Sequence, residues 1–371
     1  MGRSKHFTNV TLIAQLIDPF GAVNSVPMVL NQSTNWDNMV KIASQHLALP
    51  TIYSQLKKKK FLSLLPDDLV HYLDTLSRLN RDRNVALIKQ IHEVNSILKK
   101  NNIPAIFVKG AALLVCQGLN DIGERMVGDI DVLIKAHQCQ FAYKLLKNYE
   151  YYDLTTASIG MKHFGDTGRH LPRLRHNSRP AAVEIHHKLL RKDKFSLLHP
   201  QSVWDEAQLV NGILIPSGIH LFQHAILNWE INDFGSNNKT LSLRSAYDAL
   251  ILMKHYNYTI ILKEQYKIKP IRNFLQKCAV IIPDNQLLLG LQTQGFIGLQ
   301  YAFHLNCSIC HYVNKGCHGL LRFSILLINR IARFGVDKAY RDDILNNPSY
   351  VLKASLSVFL KMVMGKPKQF K

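Results

Sequence analysis

Arg125-Met126-Val127-Gly128-Asp129-Ile130-Asp131-Val132-Leu133-Ile134 is the stretch on which the fold turns. Its second half is an apolar run broken at alternate positions by carboxylates. Successive side chains of a strand point to opposite faces, so a strand over residues 128–134 sets Asp129 and Asp131 on one side and Ile130 and Val132 against a core. Two carboxylates on one face repel each other. A divalent cation between them reverses that interaction, and hard oxygen donors suit Mg²⁺, which keeps waters and takes further ligands from substrate phosphates. Without a cation the same pattern is an edge strand with its polar face in water.

Working outward, Asn101-Asn102-Ile103-Pro104 ends a helix, and Ala105-Ile106-Phe107-Val108 reads as a short buried strand bounded by Lys109-Gly110. A helix begins at Ala111, which puts Gly110 at a strand-to-helix turn where the lack of a Cβ lets a phosphate approach the backbone. Lys109 adds a point charge there, and Arg125 adds a planar donor fork. Downstream the pattern gives a helix over 138–147 and another strand over 181–187. In that strand Val183 and Ile185 face the core, Glu184 and His186 face the other way, and His187 points back. Placed beside the first strand, Glu184 is a third carboxylate. Three acids can hold two metal ions, and Glu184 can also accept a proton from a nucleophile. Strands mixed with helices on this scale indicate a compact α+β core with helical flanks.

In this order, the Lys-Gly-Ala turn, Arg-x-x-Gly-Asp-x-Asp and Val183-Glu184-Ile185-His186 resemble the nucleotidyltransferase superfamily that includes DNA polymerase β. They are most similar to its uncharacterised bacterial-type branch. The resemblance covers residues 103–189 and extends loosely to His220, His224 and Arg244-Ser245-Ala246-Tyr247-Asp248. It implies a polymerase β-like core with a mixed sheet, two Mg²⁺ ions, and transfer of a nucleoside monophosphate from an NTP such as ATP with release of pyrophosphate. Carried over by position, Asp129, Asp131 and Glu184 are the catalytic and metal-binding carboxylates and Gly110 is the phosphate-loop glycine, so Lys109, Gly110, Ala111 and Arg125 together are expected to take the nucleotide. One departure is visible. Many members of the wider superfamily have Gly-Ser or Gly-Gly at the turn, whereas Lys109-Gly110-Ala111 has no hydroxyl and leaves the triphosphate to Lys109 or Arg125.

The whole chain is consistent with that core set among helices. It has 371 residues, 47% of them hydrophobic, and divides into an N-terminal helical region (1–100), the nucleotidyltransferase core (101–192), a C-terminal helical region (193–319) and a basic amphipathic tail (320–371). Lys+Arg 46 against Asp+Glu 26 gives a net charge of +20, which favours nucleic acid, anionic lipid heads or phosphorylated small molecules as partners. Six cysteines are too sparse for a disulfide scaffold and point to a reducing, cytoplasmic setting. The apolar segment 10–17 contains Gln15 and stops at Asp18-Pro19, so no signal peptide is read there, and no stretch is long enough for a spanning helix. His6 removes a myristoylation reading of Met1-Gly2.

Several other clusters carry readings of their own. Cys307, Cys310, His311, Cys317 and His318 have spacings that suit Zn²⁺, or the cysteines pack as small apolar residues on a helix. Lys57, Lys58, Lys59 and Lys60 form a phosphate contact or a solvated helix end. Lys162, Arg169, Arg173, Arg175 and Arg179 guide a nucleotide or line a solvated hairpin. Arg244 and Asp248 are spaced for an ion pair along one helix. In the tail, Leu320, Leu321, Ile325, Leu327, Ile328 and Ile331 alternate with Arg322, Arg330 and Arg333, a pattern for an anionic membrane surface, an RNA, or a core-packing helix with a basic outer face. Two functions compete: a Mg²⁺-dependent nucleotidyltransferase whose acceptor is an unknown small molecule, sugar or protein, and a catalytically silent basic protein that binds nucleotide or RNA. Intact carboxylates favour the enzyme.

Overall fold

A computed structural model describes residues 4–21, 30, 34–116, 118–153, 169–191, 194–256, 259–289 and 295–363. The architecture is α+β, a seven-stranded mixed sheet set among helices. The strands are β1 (Ile106–Val108), β2 (Ile130–Leu133), β3 (Tyr152–Asp153), β4 (Leu174–Arg175), β5 (Val183–His186), β6 (Gln208–Val210) and β7 (Ile213–Ile215), in the order β3-β4-β5-β2-β1-β7-β6. Strand β1 runs antiparallel to β2, while β2 and β5 are parallel, as are β1 and β7.

The three central strands form where apolar runs predict them, though each is shorter than expected. Strand β2 begins at Ile130, so Asp129 precedes it instead of lying within it. A larger difference lies beyond residue 192, where helices were expected and a hairpin, β6–β7, joins the sheet through β1. Its turn is Asn211-Gly212, both in the left-handed region with φ 49° and 78°, as a two-residue hairpin of type I′ requires.

Helix Asp67–Lys100 organises the site from one side. Acids at its first turn, Asp67 and Asp68, and bases at its last, Lys99 and Lys100, complement the helix dipole. Its apolar stripe of Leu87, Ile91, Val94 and Leu98 packs in one cluster with Ile130, Val132, Val183 and Ile185. Polar residues of the same helix are buried and grip the segments that lead into β2 and β5. Asn80 donates to Gly123 O at 2.7 Å, and Asn84 donates to Ile122 O and Arg125 O at 2.6 and 2.8 Å. Gln90 brackets Ala181, donating to its carbonyl at 2.9 Å and accepting from its N–H at 3.1 Å. Each bond satisfies a backbone group that would otherwise be buried without a partner.

The C-terminal helices differ from expectation in two ways. The stripe from Leu320 to Ile331 lies on helix Ser308–Val336 and does not pack into a core: Leu321, Ile328 and Ile331 are 58%, 65% and 64% exposed. That helix is braced by helix Pro348–Val363 through Phe323 and Phe359, with ring centroids 5.0 Å apart. Cys307 and Cys310 form a disulfide at the start of the same helix, where a three-residue spacing brings the sulfurs together, so the packed-cysteine expectation does not hold for this pair. The zinc set is not assembled either, since two of its sulfurs are bonded to each other and Cys317 is exposed and free. Lys57, Lys58 and Lys59 do end a helix, with Lys60 as its left-handed cap, yet Lys59 is not fully solvated and donates to Asp18 O at 2.9 Å. No helix among the described residues is long and apolar enough to cross a membrane. Lys162 and the tail beyond 363 lie outside the described residues.

Candidate active site

The register of three strands builds the site. Val108 pairs with Asp131 across β1 and β2, and Asp131 pairs with Glu184 across β2 and β5. Cross-strand partners share a face, so the two carboxylates stand side by side on the face opposite the Ile130, Val132, Val183 and Ile185 core. His186, two residues along β5 from Glu184, joins them. All three are buried, and one ligand atom from each lies within 4.8 Å of the others.

The cluster is tightly bonded. His186 Nε2 lies 2.8 Å from Asp131 Oδ1 and 3.4 Å from Glu184 Oε2. With Asp131 ionised, Nε2 is the donor, and the opposite ring atom, Nδ1, is buried with no partner among the described residues. Lys109 Nζ reaches the same Asp131 oxygen at 2.5 Å. Arg173 bridges the remaining acids, with Nε on Glu184 and Nη2 3.1 Å from Asp129 Oδ2. Asp129 therefore joins the cluster through Arg173 and is absent from the close Asp131, Glu184 and His186 group. The sequence placed Arg173 only in a basic stretch. Its bridging role depends on β4 pairing with β5, which no local spacing reveals.

Electrostatics separates the three acids. Burial alone pushes the Asp131 carboxyl up, but the Lys109 ammonium and the His186 hydrogen bond outweigh it and hold the group below its usual range. Glu184 is likewise held down against burial, by His186, Lys109 and Arg173 acting against the Asp131 charge. Asp129 goes the other way. Burial and the two neighbouring carboxylates raise it despite Arg173. Carboxylates that crowd in this way are a composition that a divalent cation relieves.

The residues expected to take the nucleotide sit around the same strands. Lys109, not Gly110, takes the left-handed conformation at the turn, with φ 54°. Gly110 is needed for another reason: a Cβ there would come within 2.9 Å of Val127 Cγ1. Gly110 and Ala111 form the buried first turn of helix Lys109–Val115. The Arg125 fork is already engaged within the protein. Its Nε and Nη2 each donate to Asp248 at 2.7 Å, and Nη1 is turned onto the Met126 carbonyl. The intrahelical pairing of Asp248 with Arg244 is thereby replaced, because a buried bidentate partner outcompetes a neighbour one turn away.

The residues present fit a divalent metal: two ionised carboxylates at adjacent register positions, a third within the same charge cluster, and an imidazole at hydrogen-bond range. Oxygen donors suit Mg²⁺, while His186 would add a nitrogen. The model of an uncharacterised nucleotidyltransferase family matches residues 32–264 of the chain. No curated protein and no solved structure matches it.

Proposed function

The chain belongs to that uncharacterised nucleotidyltransferase family, and from this premise we propose that it is a Mg²⁺-dependent enzyme on a polymerase β-like core. It transfers a nucleoside monophosphate from an NTP, ATP among them, to a small-molecule, sugar or protein acceptor and releases pyrophosphate. The single observation that supports this most is the register pair of Asp131 and Glu184, which stands beside the Lys109 turn. A structural strand has no need of two buried acids there.

Bound divalent ions supply a lowered pKa for the attacking group and charge stabilisation for the leaving pyrophosphate. Asp129, Asp131 and Glu184 are the residues that would hold them. His186 fixes the orientation of Asp131 through its 2.8 Å bond. Glu184 is the carboxylate placed to accept the proton of the acceptor hydroxyl, ionised but held down as a weak base by His186, Lys109 and Arg173. The Lys109 ammonium, partly open to solvent, offers its remaining donors to phosphate oxygens, while Gly110 and Ala111 shape the turn that carries it. Arg125 acts through Asp248, holding the nearby helix Leu243–Tyr256 against the core.

The test is incubation of the purified protein with each α-labelled NTP, Mg²⁺ and cell extract. Label transferred to an acceptor in wild type and lost in Asp131→Asn is the expected result. Nucleotide binding with no transfer under any condition would leave the silent binding protein in its place.

A further inference from the structure

A cleft opens beside the carboxylate cluster, between helices Gly218–Leu227 and Leu243–Tyr256 and the Lys109 turn. Its cavity volume is about 70 Å³, room for several waters or one phosphate-sized group. Its charged walls are Lys109, Arg125, Arg244, Asp233 and Asp248. Arg125 and Asp248 cancel each other in their bidentate pair. Arg244, half-buried, forms no hydrogen bond or ion pair with any described residue, and burial lowers its pKa to about 10, which still leaves it charged at neutral pH.

A second observation is independent of that arginine. His224, on the facing helix, is 1% exposed, and neither of its ring nitrogens has a hydrogen-bond partner among the described residues. Buried imidazoles ordinarily satisfy at least one nitrogen. An unpaired guanidinium and an unpaired imidazole on the walls of one cleft, next to an ammonium that also serves the acid cluster, make a site rich in donors.

We infer that this cleft is a phosphate subsite in which Arg244 is the principal binding residue, with Lys109 and His224 supplying further hydrogen bonds. An anion there meets a guanidinium that costs nothing to free, because no protein carboxylate has to be displaced. Asp233, on the same wall, opposes the anion and tunes the affinity downward. The inference rests on the nucleotidyltransferase reading only for the identity of the phosphate, which belongs either to the triphosphate of the NTP or to a phosphorylated acceptor.

The test is calorimetric titration of the full chain with pyrophosphate in the absence of divalent metal. Wild type binds. Arg244→Gln weakens binding about ten- to a hundredfold, the usual worth of a charged hydrogen bond, while Arg244→Lys keeps part of it and Asp233→Asn strengthens it. Each variant is first checked for an unchanged unfolding transition, which Arg244→Gln should pass because no ion pair is lost. If pyrophosphate competes with NTP and Arg244→Gln weakens both, the phosphate is that of the nucleotide. If pyrophosphate and NTP bind together and NTP affinity is untouched, it belongs to the acceptor. No binding to wild type, or equal binding to Arg244→Gln and wild type, overturns the subsite. Absence of nucleotidyl transfer with pyrophosphate binding still dependent on Arg244 would remove the enzymatic reading and leave the subsite standing.

Discussion

Buried charge is handled in two ways in this molecule. Lys277 and Glu230, with side chains 2% and 0% exposed, form a one-to-one pair at 2.5 Å, and Lys277 also donates to Thr240 O at 3.0 Å. Arg125 and Asp248 are matched in the same way. At the ends of β1, β2 and β5, by contrast, three acids crowd against Lys109, Arg173 and His186, and Lys109 and His186 converge on one oxygen of Asp131. The matched pairs hold helices in place. The crowded cluster instead shares Lys109, Arg173 and His186 among three acids, and it is there that the proposed metal and phosphorylated substrate would bind.

Substitutions should separate the two regions. The largest effect is expected for Glu184→Gln, which keeps shape and removes charge: nucleotidyl transfer falls by about 10²–10⁴ with NTP affinity retained, measured by single-turnover kinetics against equilibrium binding. Normal transfer would remove the proton-acceptor role. Glu230→Ala should do the reverse, lowering stability in urea by about 3–5 kcal/mol because it strands a buried ammonium, with turnover per folded molecule unchanged. Asp131→Asn should cost less stability than Glu230→Ala, since its main partner Lys109 keeps 24% of its side chain in solvent and can turn to water.

A pH series sharpens the same contrast. Burial pushes His46 down to about 4 and His224 well below its ordinary value. Unfolded histidine titrates near pH 6.5, so the unfolded chain takes up protons that the folded chain refuses. Stability is therefore full above about pH 6.5 and is lost as pH falls from there toward 4. The depressed acids Asp131 and Glu184 add a second loss only below the unfolded carboxylate range near about pH 4. A melting temperature that stays flat between pH 7.5 and 4.5 would contradict neutral burial of both histidines. The smallest effect belongs to Arg78→Ala. Its side chain and that of its partner Asp74 are 63% and 33% exposed, so the change in stability should stay within about 1 kcal/mol, as read by thermal unfolding.

How far the sequence revealed this contrast depends on range. Strands β1, β2 and β5 are legible because each is an apolar run bounded by turn residues, and alternation within β2 and β5 is enough to place Asp131, Glu184 and His186 on one face. The hairpin β6–β7 carried a readable Asn211-Gly212 signal, but three-residue arms with exposed Gln208 and Leu209 gave no periodicity to support it. Two-residue strands β3 and β4 are below the length at which alternation means anything. The partner of Asp248 went to Arg125, 123 positions away, instead of the arginine four residues before it. Local spacing shows which pairs can form, and tertiary packing decides which of them does.

The central claim is that the crowded acids hold a divalent cation for nucleotidyl transfer, and Mn²⁺ tests it most directly because its paramagnetic signal reports binding without any turnover. Titrated in the presence of a non-hydrolysable NTP analogue, wild type should bind Mn²⁺ at saturable sites that Mg²⁺ displaces, and Asp131→Asn, folded by its unfolding transition, should lose them. Mn²⁺ binding by Asp131→Asn equal to that of wild type, or none by wild type at all, would contradict the account.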